Sequence, residues 1–180
     1  MKRLIFVLAI ICLPILKTAS QELTTKEKFI FDNYFKSKLT YTSDNKKIVS
    51  DTLSKVFSDA IYSIQAGFLD GEGGYTYNVV GLYTIKGDLP VKFNIMDLLP
   101  AIRSDFSLKD ESDAKVFETA LDKIKPPDWS NKKYKEHLKI DNKWYFVRGK
   151  FFDSKSAYIV TIDQSGKITK IDYNDEAIKK

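Results

Sequence analysis

The chain has 180 residues, of which 43% are hydrophobic and 29% charged, and its formal net charge is +5. This composition is typical of a globular protein and excludes a disordered or low-complexity chain. The chain has one cysteine, Cys12, which excludes a disulfide framework within it.

The first 20 residues have the three parts of a removable signal peptide. Met1-Lys2-Arg3 supplies positive charge, Leu4 to Leu16 forms an apolar run, and Lys17 to Ser20 ends in small side chains. The apolar run is shorter than the roughly 20 residues of a membrane-spanning helix. Cleavage between Ser20 and Gln21 is therefore favoured over an uncleaved anchor, and no stable membrane insertion is expected afterwards.

Cleavage changes the chemistry of the remaining chain, residues 21 to 180. It takes away Cys12, three of the 29 basic residues and none of the 24 acidic ones, so the net charge falls from +5 to +2. Thiol chemistry is thereby excluded, and so small a net charge disfavours nucleic acid as a partner. The absence of cysteine and of N-x-S/T acceptors downstream favours a bacterial periplasmic or extracellular location.

In chain order, Thr24-Thr25-Lys26-Glu27 reads as a capping box that opens a helix over residues 25–39. A second helix is predicted from about Asp44, since apolar residues recur at helical spacing up to Ala60. Residues 61–69 fit either an extension of this helix or a strand. The strand is favoured because a glycine-rich turn at residues 70–74 and a strand at residues 75–85 follow, which together make a hairpin.

The second half of the chain predicts a helix followed by an antiparallel meander. A short strand at residues 91–95 and a turn or short helix at residues 97–102 come first. Acidic side chains at residues 110–113 favour a helix start, and Pro126-Pro127 ends that helix. The strands of the meander are predicted at residues 134–140, 143–152, 157–163 and 167–173.

An offset of 68 residues aligns the chain with itself. Tyr77 to Tyr83 and Tyr145 to Phe151 then share the pattern Tyr-x-Val-x-Gly-x-aromatic, and the apolar positions of the preceding helices coincide. The offset predicts an internal duplication of about residues 44–95 and 112–163. A glycine in the middle of both strands indicates a shared bend in the sheet.

The predicted fold class is α+β, with helices packed on a curved antiparallel sheet within one domain, residues 21 to 180. The ending Asp163-x-x-Gly166-Lys167 between two apolar strands makes residues 110–173 resemble a PepSY-like module. That resemblance implies a small extracytoplasmic domain with a regulatory role toward other proteins and no catalysis. The order of elements is also similar to that of cystatin-like domains and of an NTF2-like cone.

Catalytic signatures are missing from the sequence. His137 is the only histidine and is interpreted as an exposed strand residue, because no Ser-His-Asp signature accompanies it. Asp70, Glu72 and Asp88 are interpreted as turn residues rather than calcium ligands. No metal and no cofactor is predicted, and a non-catalytic protein is favoured over an enzyme.

Aromatic residues supply the candidate binding site. Trp129 lies in a polar loop, where a tryptophan is a candidate anchor for a partner. Trp144, Tyr134 and Lys133 complete the candidate set, and nearby lysines could attract an acidic partner. We therefore expect an exported binding or regulatory domain whose partner is another exported protein or a small apolar ligand. The alternative is an NTF2-like small-molecule binder or enzyme with an internal pocket lined by aromatics.

Overall fold

A computed structural model describes residues 20–35, 39–41, 45–48, 50–69, 75–124, 134–151 and 154–174. Several predictions lie outside these residues: the signal peptide up to Ala19, the glycine-rich turn at residues 70–74 and the helix stop at Pro126-Pro127. The candidate binding residues Trp129 and Lys133 also lie outside them.

The described residues form helices and antiparallel strands, which confirms the α+β class. The helices are α1 (Thr25–Phe35), α2 (Asp51–Val56) and α3 (Glu111–Ile124), with a short 3₁₀ helix at Leu99–Ala101. The strands are β1 (Ser20–Glu22), β2 (Leu39–Tyr41), β3 (Lys46–Ile48), β4 (Ile61–Leu69), β5 (Tyr75–Lys86), β6 (Leu89–Lys92), β7 (Tyr134–Ile140), β8 (Lys143–Phe151), β9 (Ser154–Ile162) and β10 (Ile168–Asn174).

The strands make two sheets, one from each half of the chain. The first has the order β1-β3-β4-β5-β6, with β2 also beside β4, and the second has the order β10-β9-β8-β7. All pairings between named strands are antiparallel. Strand β6 is therefore an edge of the first sheet, and β7 is an edge of the second.

Alternating residues of the first sheet divide the interior into two cores. Tyr62 and Ile64 of β4 point to one side, where they pack with Phe31 of α1 in a small core. Ile61 points to the other side and joins a larger core. That larger core is completed by α2, α3 and the second sheet, including Phe117, Phe146, Tyr158 and Val160.

The predicted starts of α1 and α3 carry the expected caps. The Thr24 amide donates to the Glu27 carboxylate (2.8 Å) and the Glu27 amide to the Thr24 hydroxyl (3.3 Å), which confirms the capping box. Asp110 accepts from the amides of Ser112 and Asp113 at 2.9 and 3.1 Å. These contacts satisfy amides of the first turn of α3 that have no partner within the helix.

The prediction of a second helix from Asp44 up to Ala60 was wrong at both ends, since α2 spans only Asp51–Val56. Residues Lys46–Ile48 form β3 instead, because they pair with β1 on one side and β4 on the other. Helix α2 begins only at Asp51, after Ser50 accepts a hydrogen bond from the Thr52 amide (3.2 Å). The strand expected at residues 91–95 is β6 at Leu89–Lys92, and β9 begins at Ser154, within a predicted turn.

The two halves that the 68-residue offset aligned share an order of elements. A helix and three antiparallel strands occur as α2-β4-β5-β6 and again as α3-β7-β8-β9. Gly149 lies beside an irregularity in the pairing of β8 with β9, whereas Gly81 pairs with Ile64 in regular register. Register alone does not test a bend, so the predicted common bend and the duplication both stay predictions.

The helices among the described residues are too short or too polar to cross a membrane.

Candidate functional site

The most exposed apolar surface among the described residues lies between α1 and β6. Helix α1 contributes Phe29, which is 66% exposed, and Tyr34. Strand β6 contributes Leu89, which is 68% exposed. We call these three side chains the α1–β6 patch. Single exposed apolar residues are ordinary on a protein surface, but three on two adjacent elements mark a contact surface.

The sequence of α1 explains why part of it stays uncovered. Residues 29–31 and 34–35 are all apolar or aromatic, so they spread over more than one face of an α-helix. Phe31 points into the small core and is fully buried, and Ile30 is buried beside it. Phe29 precedes them by one and two positions and therefore points away from that core.

A cavity of about 460 Å³ lies within this surface. One wall of the cavity is a face of α1, whose lining residues recur at helical spacing. The other wall is the β5–β6 hairpin. An ion pair between Lys26 and Asp88 (3.1 Å, both largely exposed) joins the two walls. The lining residues are Lys26, Phe29, Ile30, Asn33, Tyr34, Asp88, Leu89 and Pro90.

Helix α1 is held to the first sheet by a second polar cluster around Glu27. Its carboxylate accepts hydrogen bonds from the Tyr62 hydroxyl (2.8 Å) and from Lys47 (3.3 Å), besides the Thr24 amide. Burial opposes ionisation of Glu27, but these hydrogen bonds outweigh it and lower the pKa of Glu27. Burial and the hydrogen bond to Glu27 raise the pKa of Tyr62, so that its hydroxyl remains a donor.

A network of ionisable side chains joins α3 to the second sheet. Arg148 of β8 is only 1% exposed and contacts Glu118 (2.8 Å) and Asp122 (3.2 Å) of α3. Glu118 also faces Nδ1 of His137 at 3.1 Å, while Nε2 of His137 contacts Glu111. Glu111, Glu118 and Asp122 recur at helical spacing, which places them on one side of α3.

This network corrects the interpretation of His137. The residue lies in β7 as predicted, but its side chain is 12% exposed and both ring nitrogens face carboxylates. A histidine acting as a general base needs a free nitrogen within reach of the substrate. In this arrangement both nitrogens of His137 and the guanidinium of Arg148 are occupied by α3, so the cluster is suited to fixing the helix on the sheet.

The Asp163-x-x-Gly166-Lys167 ending forms a tight turn that docks against the residues just before α3. The Asp163 carboxylate accepts from the Ser165 hydroxyl (2.7 Å), the Ser165 amide (2.8 Å) and the Lys167 amide (3.0 Å). The hydrogen bonds from the Ser165 hydroxyl and the Lys167 amide lower the pKa of Asp163. The Gly166 carbonyl in turn accepts from the Leu108 amide at 2.8 Å. In this structure the motif therefore shapes a turn.

Of the candidate binding residues from the sequence, only Trp144 has a side chain that the structure describes. Trp144 is 3% exposed in the larger core, stacks on Phe146 (6.4 Å between centroids) and donates to the Leu108 carbonyl (3.3 Å). The backbone of Tyr134 begins β7. Because Trp129 and Lys133 lie outside the described residues, their binding role stays a prediction.

Sequence reasoning missed the α1–β6 patch, although signals for it were present. Phe29-Ile30-Phe31 is an unbroken apolar run in a helix that can bury only one face. Leu89 and Val91 flank a proline in a strand of four residues, a pattern typical of a sheet edge. Their proximity in space depends on the sheet topology, which the sequence pattern did not indicate.

Among the described side chains, no group of three or more His, Cys, Asp or Glu residues is placed to hold a metal ion. No protein-family model, curated protein or solved structure matches this chain. The resemblance to PepSY-like modules therefore stays a prediction.

Proposed function

We propose that the protein is an exported, non-catalytic domain that binds another protein, and that the α1–β6 patch is its contact surface. The observation that carries this proposal is the coincidence of exposed Phe29 and Leu89 on two elements that line one cavity. Exposed aromatic and aliphatic side chains around a concave centre are the usual anchors of protein contacts. Export follows from the predicted signal peptide and places the partner in the same compartment.

The polar clusters support a role without catalysis. An active site would need ionisable groups that can act on a substrate. His137, Glu118 and Arg148 instead form ion pairs between α3 and the second sheet. Phe117, Phe146 and Tyr158 of the larger core do not line the α1–β6 cavity or two other cavities among the described residues, although Phe57 borders one of these beside α2. These observations favour a binding domain over the NTF2-like alternative with an internal aromatic pocket.

Capture of partners from the same compartment tests this proposal. Immobilised protein is exposed to periplasmic extract or culture supernatant, and Phe29→Glu and Leu89→Glu are compared with wild type. Both substitutions should abolish specific capture, because they place a charge in an apolar contact. Ile140→Glu is the matched control, since Ile140 is 50% exposed but lies at the end of β7 in the other sheet. Capture that both patch variants retain would contradict the proposed surface.

The candidate residue Trp129 needs its own variant. Trp129→Ala should weaken capture if the polar loop contributes to binding, and unchanged capture would remove Trp129 from the contact surface. Trp144→Ala is unsuitable for this purpose, because loss of a buried tryptophan would lower stability.

A further inference from the structure

We propose that the partner seated on the α1–β6 patch is a second copy of this chain, in a two-fold symmetric dimer. This inference rests on the proposed function, since it names the partner of the same surface. A two-fold contact brings one patch against an identical patch, so the patch must complement itself in shape and in charge.

The shape of the patch satisfies the first condition. Phe29 and Leu89 protrude from its two walls, and the cavity of about 460 Å³ lies between those walls. One surface therefore carries both projecting apolar side chains and a concavity that can receive them. In a two-fold arrangement each copy inserts side chains into the other and receives side chains in return.

The charges of the patch satisfy the second condition. Its lining carries one cation, Lys26, and one anion, Asp88, which lie 3.1 Å apart and face solvent. A strongly acidic or basic partner would meet an unfavourable charge at one of them. An identical surface presents the same pair, so that Lys26 of each copy can also meet Asp88 of the other.

The backbone of the patch favours contact through side chains over extension of the sheet. Strand β6 is an edge with only four residues, and Pro90 in its middle has no amide hydrogen to donate. Tyr34 is already ordered by edge contacts with Phe35 (5.0 Å between centroids) and Tyr83 (6.4 Å). A side chain that is ordered before binding loses less conformational entropy when the dimer forms.

Sedimentation equilibrium of the purified protein tests whether it forms this dimer. Over about a hundredfold range of protein concentration, wild type should shift from monomer to dimer by mass action. Phe29→Glu and Leu89→Glu should each raise the dimer dissociation constant about tenfold or more, as expected for charging an apolar anchor. Ile140→Glu should leave the constant unchanged, and circular dichroism checks that every variant is folded.

The outcomes separate this inference from the proposed function. A chain that is monomeric throughout, or a dimer that neither patch substitution weakens, overturns the inference. A monomer that still captures another exported protein through Phe29 overturns the second-copy partner but leaves the proposed binding function intact. A dimer weakened at Phe29 and Leu89 but not at Ile140 supports the inference, even when capture from extract yields no other protein.

Discussion

At Gly166 two constraints exclude any larger side chain. Its φ of +83° is a conformation that L-residues rarely adopt. A Cβ atom there would also come within 2.7 Å of Lys109 Cγ and 3.2 Å of the Lys109 backbone. The close approach follows from the hydrogen bond between Leu108 and the Gly166 carbonyl, which docks the turn against the residues before α3.

Gly87 offers a matched comparison for Gly166. It has φ of +63°, but a Cβ atom there would meet nothing within 4 Å. Gly87→Ala should therefore cost only the backbone strain, about 1 kcal/mol. Gly166→Ala should cost about 2 to 4 kcal/mol, because steric overlap adds to the strain. Denaturant unfolding of both variants measures the difference, and equal losses of stability would contradict the close contact at Lys109.

Glu27 is the polar attachment of α1 to the first sheet, and its ionisation should make that attachment depend on pH. Because the pKa of Glu27 is lowered in the folded protein, its stabilisation is complete above the ordinary value of 4.5. The stabilisation is then lost as the pH falls through the folded-state pKa. Glu27→Gln removes the charge-assisted hydrogen bonds and should cost about 1 to 3 kcal/mol at neutral pH.

Thermal unfolding of wild type and Glu27→Gln between about pH 3 and 7 measures this dependence. The difference in free energy of unfolding should be greatest near neutral pH and should shrink as acid protonates Glu27. Asp163→Asn gives a second test of the same linkage, since the pKa of Asp163 is also lowered and its contribution should shrink in acid in the same way. A wild-type advantage that stays constant across this range would contradict the role given to Glu27.

Helix α3 depends on an ion pair that is largely removed from solvent. Arg148→Met takes the guanidinium away from the buried Glu118 carboxylate, and Glu118→Leu takes the nearer carboxylate away from buried Arg148. Each single substitution should cost about 3 to 5 kcal/mol, since it removes one partner of a buried charge pair. The double variant should lose about 1 to 3 kcal/mol less than the sum of the two, which denaturant unfolding measures. Strict additivity would show that the pair is not coupled.

Sequence patterns predicted those elements whose determinants are local. The capping box at Thr24, the stripe of α3 and the strand at residues 61–69 each depend on neighbours within a few positions, and the structure has all three. The start of the helix predicted from Asp44 was wrong because β3 forms through pairing with β1 and β4, which are remote in sequence. Local spacing carries no information on such partners.

The candidate site was less predictable than the fold for the same reason. His137 meets Glu111 and Glu118 only because α3 crosses the second sheet beside β7. Phe29 and Leu89 share a surface only because α1 lies next to the β5–β6 hairpin. The exposure of Phe29 and Leu89 depends on the folded molecule as a whole. Helix α1 has more apolar residues than a single face can bury.

In the whole molecule, strand β1 links the predicted cleavage of the signal peptide to the order in which the chain folds. The predicted cut between Ser20 and Gln21 falls within β1, where these residues pair with Ile48 and Lys47 of β3. A peptidase binds its substrate as a single extended segment. A precursor in which β1 had already paired with β3 would therefore conceal its own cleavage site. If the chain is cut at this position, cleavage has to precede closure of the first sheet, and the pairing of β1 with β3 would be a late event in folding.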